Sequence, residues 1–260
     1  MSIVAELPVL PSPLPESPVL DLAPLNARFE SADPSAVVEW AADHFGPDHM
    51  VMSSSFGADS AVLLHMATRV VPRIKVIFVD TGYLFPETHA FMAQLRQRLD
   101  LNVWTYRTPN DPIAWLHKAG EENPAWRSDV DRCCGANKNE PFDRALRELR
   151  PGAWLRGIRR NQAESRRDRQ FVEWSPRHGT HAVSPLLNLD RRAIHAYLKQ
   201  HDLPYHPLFE LGYASIGCNP QSCTRAVGAD EDARAGRWAG SGKVECGINV
   251  DSNSLDSAKI

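Results

Sequence analysis

Long apolar runs are missing from this 260-residue chain: none approaches the roughly 18 residues that a membrane span needs. Basic residues are missing from its start. The first is Arg28, and prolines interrupt every apolar run before it, which is not the pattern of a secretory leader. No membrane attachment is expected, and the cytoplasm is the expected compartment. An excess of positive charge is absent too, since 29 Lys and Arg face 32 Asp and Glu for a net charge of −3. That balance gives no general attraction to nucleic acid, so any anion site must be local. Cysteine is scarce. The five fall at 133, 134, 218, 223 and 246, all in the second half. In a reducing compartment such a set reads as metal-binding or catalytic rather than disulfide-bonded. The ten histidines show no metal spacing, and no internal repeat is visible.

What is present fits one sizeable α/β domain with appendages, with 43% hydrophobic and 23% charged residues. Residues 1–30 carry Pro8, Pro11, Pro13, Pro15, Pro18 and Pro24 and read as an extended N-terminal arm. Residues 31–215 form the main domain, and 216–260 a Gly-rich segment and C-terminal tail. The first helix starts with Asp33 as N-cap and Pro34 at its first position, with Val37, Trp40, Ala41 and His44 or Phe45 inward. Strands are expected at 49–53, 75–79, 101–106 (with Val103 and Trp104 in the core), 153–157 and 181–187. Helices are expected over 61–67, from Pro86, from Asn139 as a candidate cap after the vicinal pair Cys133-Cys134, and over 190–201. Strands alternating with helices predict a parallel sheet with helices on both faces.

Several stretches carry chemistry. A Ser/Gly loop, Ser54-Ser55-Phe56-Gly57-Ala58-Asp59-Ser60, joins a strand to a helix, where backbone amides and the helix dipole can hold an anion. Asp80-Thr81-Gly82 ends a strand at the edge where parallel sheets bind ligands, although Asp80 could equally be a turn residue. Arg159, Arg160, Arg166, Arg167 and Arg169 crowd a strand end more densely than solubility needs, which favours an anion site. Four of the cysteines, Cys133, Cys134, Cys218 and Cys223, form a ligand set for zinc or an iron–sulfur cluster. The adjacent pair is awkward for one tetrahedral ion and tilts the reading toward a cluster. Cys246, between Glu245 and Gly247, is then the thiol left over. On a Gly-flanked tail it makes a poor core residue and a good nucleophile.

The stretches at 53–57 (Ser-Ser-Ser-Phe-Gly), 80–88 (Asp-Thr-Gly-Tyr-Leu-Phe-Pro-Glu-Thr), 157–160 (Gly-Ile-Arg-Arg) and 245–247 (Glu-Cys-Gly) occur in this order. Together they resemble the assimilatory adenylyl-sulfate and phosphoadenylyl-sulfate reductases, over roughly residues 35–250. The resemblance implies an adenine-nucleotide α-hydrolase-like fold, so that 31–215 is the nucleotide-binding domain and 216–260 holds cluster ligands and the catalytic tail. It implies reduction of an activated sulfate to sulfite, with thioredoxin or glutaredoxin as electron donor. The four paired cysteines resemble the branch that carries a [4Fe-4S] cluster and mostly uses adenosine 5′-phosphosulfate; the cluster-free branch mostly uses the 3′-phosphorylated nucleotide. Three departures stand out. Four residues separate Cys218 from Cys223 where the family has two, Asn137 replaces an arginine before Lys138, and Ile248-Asn249 ends a motif that usually reads Leu-His.

The mechanism this implies puts Ser54, Ser55, Gly57, Arg159, Arg160 and Arg166 on the phosphosulfate and Asp80, Thr81 and Gly82 around the adenosine. Cys246 attacks the sulfur, and Lys138, Arg234, Arg237 and Lys243 offset the repulsion between thiolate and anion. Glu245 would oppose that, so its carboxylate is expected to point elsewhere. Sulfite leaves when a thioredoxin thiolate attacks Cys246, which requires the tail to swing out. Self-association into a homo-oligomer stays open. Two rivals remain: an ATP-pyrophosphatase-type transferase, for which Ser55-x-Gly57-x-Asp59-Ser60 speaks, and a non-enzymatic metal-bound redox sensor or scaffold.

Overall fold

Side-chain alternation along short apolar strands divides the core of this protein into two layers. The structure is a computed structural model that describes residues 20–109, 130–219, 223–228, 234–238 and 241–249. Six strands form one sheet: β1 (Met50–Ser53), β2 (Lys75–Val79), β3 (Asn102–Tyr106), β4 (Ala153–Leu155), β5 (Val172–Ser175) and β6 (Thr180–Val183). Their order is β3-β2-β1-β4-β6-β5, parallel throughout except for the antiparallel β5–β6 pair. Met50, Met52, Val76, Phe78, Ala153, Leu155 and Val183 face one layer, and Val51, Ile77, Trp154 and Ala182 the other.

The first layer is covered by α1 (Leu22–Phe29), α2 (Pro34–Phe45), α3 (Ser60–Val70), α4 (Pro86–Arg98) and, later in the chain, α7 (Arg191–Gln200). The second is covered by α6 (Glu140–Leu149), which buries Phe142, Ala145 and Leu146. Phe142 meets Trp154 at a centroid distance of 4.8 Å. Burying a side chain of that size contributes about 1.5–3 kcal/mol. Asp33 caps α2 through Ser35 N at 2.8 Å, and Asp190 caps α7 through Ala193 N at 2.7 Å. No described helix is long and apolar enough to cross a membrane.

Four local expectations change. Within the segment read as an extended arm, residues 22–29 are helical. Asn26 of α1 pairs with both backbone groups of Val172, so this helix seals the β5 edge of the sheet. Val103 and Trp104 are only partly buried, because β3 is the opposite edge strand. The strand expected at 181–187 ends at Val183 and pairs with β5, which periodicity did not reveal. The vicinal cysteines do not precede a capped helix. They end α5 (Val130–Cys134), and a π-helical turn (Gly135–Asn139) runs on into α6, with Asn139 itself helical and making no cap bond.

The chain builds β1, β2 and β3 toward one edge, then returns to add β4 and β6 on the other side of β1. A crevice therefore opens between the loops that follow β1 and β4, beyond the C-terminal strand ends.

Candidate active site

The loop after β1 is shaped by its own side chains. Ser54 Oγ accepts the Phe56 amide at 3.1 Å, and Ser60 Oγ donates to the Gly57 carbonyl at 2.7 Å. Phe56 takes φ +48 and drops its ring into the core against Phe78, 5.2 Å away. Burial of that ring holds a backbone conformation that phenylalanine otherwise disfavours. Ser54, Ser55, Gly57 and Asp59 are left lining the crevice, with the N-terminus of α3 behind them.

Arg159 does not line the crevice. It lies buried and paired to Asp59 at 2.7 Å, and its Nε and Nη1 make no hydrogen bond. Its contact with the anion loop is thus made through Asp59. Arg160 turns away altogether. It grips Glu30 with two bonds of 2.9 and 2.7 Å and Asn188 at 2.6 Å, fastening the end of α1. Asp80 is likewise a turn residue: it accepts the Gly82 amide at 3.0 Å and Arg107 Nε at 2.9 Å. Neither Asp80 nor Gly82 reaches the crevice; Thr81 does.

Most of the remaining expected residues converge, although Lys243, Arg167 and Arg169 do not line the crevice and pair with Asp131, Glu164 and Glu173 instead. Arg166, Lys138, Arg234, Arg237 and Cys246 all line the same crevice as the serine loop. Arg237 lies 4.4 Å from the centroid of Trp238, with Arg234 at 5.7 Å and Lys243 at 6.0 Å. Three cations thus lie within reach of this buried ring's π face. Trp238 was not singled out in the sequence, and neither was Arg156, which also lines the crevice and is fixed by Ser184 at 2.9 Å and by Glu173. No local motif marks either residue.

Residues 243–249 lie docked along this wall. Arg234 donates to the Val244 carbonyl at 2.8 Å, Arg177 to the Gly247 carbonyl at 2.9 Å, and Arg169 to the Asn249 carbonyl. Lys243 pairs with Asp131. The Glu245 carboxylate is turned onto Arg166, with bonds of 2.6 and 3.0 Å, yet lies near enough to Cys246 to oppose its thiolate. Asp143 braces Arg177 at 2.7 Å and takes His178 at 3.0 Å on its other oxygen. Burial pushes the Cys246 thiol up, but the Lys138 ammonium, the Ile248 amide and Arg237 outweigh it and Glu245, leaving the thiol below its ordinary range. Such a thiol is a competent nucleophile.

Beside the crevice, Cys133, Cys134, Cys218 and Cys223 all line a second, smaller cavity together with Tyr83, Asn137, Lys138 and Trp238. Cys218 is set by pairing of Leu84 with it, and Cys223 by the Trp238 amide on its carbonyl at 3.3 Å. Thr81 Oγ1 lies 3.4 Å from the Cys218 sulfur, and Asn137 Nδ2 donates toward the Cys133 sulfur at 3.6 Å. Burial pushes the Cys133 thiol up to about 12. Among the described residues, no three Cys, His, Asp or Glu side chains are grouped to hold a single metal ion. Lys138, on the π-helical turn, is shared by both cavities.

Residues 49–226 match the family described as phosphoadenosine phosphosulfate reductase domain. The chain is 43% identical over 246 residues to the phosphoadenosine 5′-phosphosulfate reductase of Xylella fastidiosa strain M23, spanning 94% of this chain and 98% of that one. It is 37% identical over 238 residues to the adenosine 5′-phosphosulfate reductase of Salinibacter ruber, spanning 91% and 92%. Among solved structures it is similar to phosphoadenylyl-sulfate reductase from Candida auris, with a TM-score of 0.68, 28% identity, and coverage of 78% of this chain and 97% of that one. The FMN adenylyltransferase of Candida glabrata, at 16% identity and a TM-score of 0.55 over 75% of this chain and 62% of that one, shares the fold.

Proposed function

The chain belongs to the phosphoadenosine phosphosulfate reductase family, and on that premise we propose that it reduces adenosine 5′-phosphosulfate to sulfite and AMP in sulfate assimilation. The observation that carries this reading is the meeting of Cys246, Lys138 and Arg237 with the serine loop in one crevice. An anion-holding loop and a cation-flanked thiol are the two halves of a transfer from phosphosulfate to cysteine.

In the first step the Cys246 thiolate attacks the sulfate sulfur. A sulfur–sulfur bond forms, the sulfur–oxygen bond to the phosphate breaks, and AMP leaves with that electron pair. Ser54, Ser55, Gly57, Arg166 and Arg234 hold the phosphosulfate, with Thr81 at the rim. In the second step a thiolate of a reduced thioredoxin or glutaredoxin attacks Cys246 and sulfite leaves with the bonding pair. The partner's other thiol then closes its own disulfide and returns Cys246 as a thiol. The two electrons come from the partner dithiol, which stays reduced in a cytoplasmic compartment. Cys246 is buried in the docked tail, so this step needs the tail to leave. Its docking is mostly polar, with Ile248 as its partly buried apolar contact, which suits reversible release.

Four cysteines around one cavity fit a group that binds each thiolate through a different atom. A single tetrahedral zinc, with Zn–S bonds of about 2.3 Å, is an awkward occupant for the directly adjacent Cys133-Cys134 pair. Cys133, Cys134, Cys218 and Cys223 would accordingly hold a [4Fe-4S] cluster. Bound there, it would act electrostatically and as an organising centre beside Lys138.

Anaerobic purification, iron analysis and sulfite release from both nucleotides test the reading. A brown protein with about four irons that prefers the unphosphorylated nucleotide supports it. A colourless, iron-free protein that prefers 3′-phosphoadenosine 5′-phosphosulfate moves it to the other branch. Sulfite release with thioredoxin by Cys246→Ser would remove the mechanism.

A further inference from the structure

Glu245 has no part in those two steps, yet its carboxylate sits among the cations assigned to the substrate. The side chain is 8% exposed and accepts two parallel bonds from Arg166, at 2.6 and 3.0 Å. This is the fork with which arginine grips carboxylates and phosphates alike. Arg234 Nη2 lies 3.4 Å from the second oxygen, and Ser165 Oγ 3.3 Å from the first. Glu245, Arg166 and Arg234 line one crevice with the serine loop. A nucleotide whose anion takes Arg166 must therefore take it from Glu245.

The arrangement also has an electrostatic reason. Arg166, Arg234 and Arg237 face one another across a largely buried site, and burial and the other two guanidiniums disfavour the charge on Arg234. Guanidiniums held this way without a counter-charge repel and lose hydration. Glu245 supplies that counter-charge when no substrate does.

We propose that Glu245 is a resident substitute for the substrate anion, exchanged for it on binding and returning to displace AMP. The proposal rests on the reductase reading above and deepens it. The geometry explains how exchange could leave the nucleophile in place. Glu245 anchors the leading half of the docked segment together with the Arg234 bond to the Val244 carbonyl and the Lys243–Asp131 pair, whereas Arg177 and Arg169 hold the carbonyls of Gly247 and Asn249 beyond Cys246. Displacing Glu245 frees the residue before Cys246 and keeps the residues after it. The thiolate gains room to approach the sulfur without leaving the crevice. After transfer, the returning carboxylate competes with AMP for Arg166.

The test measures AMP binding by calorimetry and amide hydrogen exchange in the full-length protein, with Glu245→Gln and Glu245→Asp. If the docked carboxylate occupies the site about nine-tenths of the time, Glu245→Gln binds AMP about tenfold more tightly. Its kcat falls as AMP release slows, while Glu245→Asp stays near the parent in affinity. In the parent protein, AMP speeds exchange at residues 244–246 and slows it at 54–60. A residue that merely supports the fold would not tighten AMP binding when neutralised. Equal or weaker AMP binding by Glu245→Gln overturns the proposal, and so does slowed exchange at 244–246 in the parent on adding AMP. If the variant does not fold, the parent's exchange decides alone. Sulfite release by the parent separates the two readings: release without the exchange pattern sinks only this proposal, and no release from either nucleotide sinks both.

Discussion

Replacing Gly247 by alanine should undock the nucleophile without unfolding the domain. Gly247 has φ +91, a backbone conformation that an L side chain rarely adopts, and an added Cβ would lie 2.5 Å from Asn139 Nδ2. The backbone strain costs about 1–3 kcal/mol. The clash adds about 0.5–1.5 kcal/mol, the cost of turning Asn139 off its rotamer. That share is small because the Asn139 Oδ1 atom makes no hydrogen bond to hold the amide in place. Both terms fall on the docked tail alone, since a released tail relaxes its backbone and meets no neighbour. Together they come to about 3 kcal/mol, or roughly a hundredfold shift from docked to undocked. Two assays read this. Iodoacetamide should alkylate Cys246 many-fold faster, and single-turnover formation of S-sulfocysteine, followed by mass spectrometry, should slow in proportion. The melting temperature should hardly move, because the two main core layers are untouched. A Gly247→Ala/Asn139→Ala double variant should recover only the clash. Parent-like alkylation and transfer rates in Gly247→Ala would refute the docked tail as the reactive state.

Arg177→Ala removes the bond to the Gly247 carbonyl and one brace of Asp143, at about 1.5–3 kcal/mol for a charge-assisted bond. Transfer to Cys246 should fall about tenfold or more with AMP affinity unchanged, as stopped-flow and calorimetry would show. Lys138→Met removes the cation that most lowers the Cys246 thiol, so the pH midpoint of its alkylation should move up. The lowered thiol pKa stabilises docking above the unfolded value near 8.5, a contribution lost as pH falls through the folded value; the variant should show a smaller docking gain as pH rises toward the unfolded value. Arg160→Ala should lower the melting temperature slightly, by the roughly 0.5–1 kcal/mol of a partly exposed pair with Glu30. It should leave AMP affinity alone, and a large loss of affinity would return Arg160 to the substrate site.

The alternation of apolar strands and helices was legible because each element must bury one stripe, and stripe period follows from backbone geometry. Asp33-Pro34 and Asp190 announced helix starts through cap chemistry that is local in sequence. β5 was not legible: its stretch runs Val-Glu-Trp-Ser at 172–175 with only half its residues buried, and its partner β6 is what makes it a strand. The π-helical turn at Gly135–Asn139 hid behind Asn139 and Pro141, which look like a cap and a first turn until α5 runs straight into them.

For the site, residue chemistry by itself singled out a spare thiol, four further cysteines, an anion loop and a dense run of arginines. It could not say which guanidiniums face the crevice. Arg159, Arg160 and Arg166 look alike in sequence, yet one lies under the loop with Asp59, one fastens α1 through Glu30, and one reaches the tail. That choice depends on which carboxylate each meets, and those acids lie 100, 130 and 79 residues away. Charge and chemistry are properties of a residue, whereas pairing is a property of the packed chain. Residue chemistry marked Cys246 as a candidate nucleophile; only the tertiary structure set the Glu245 carboxylate beside it onto Arg166, in one crevice with the serine loop.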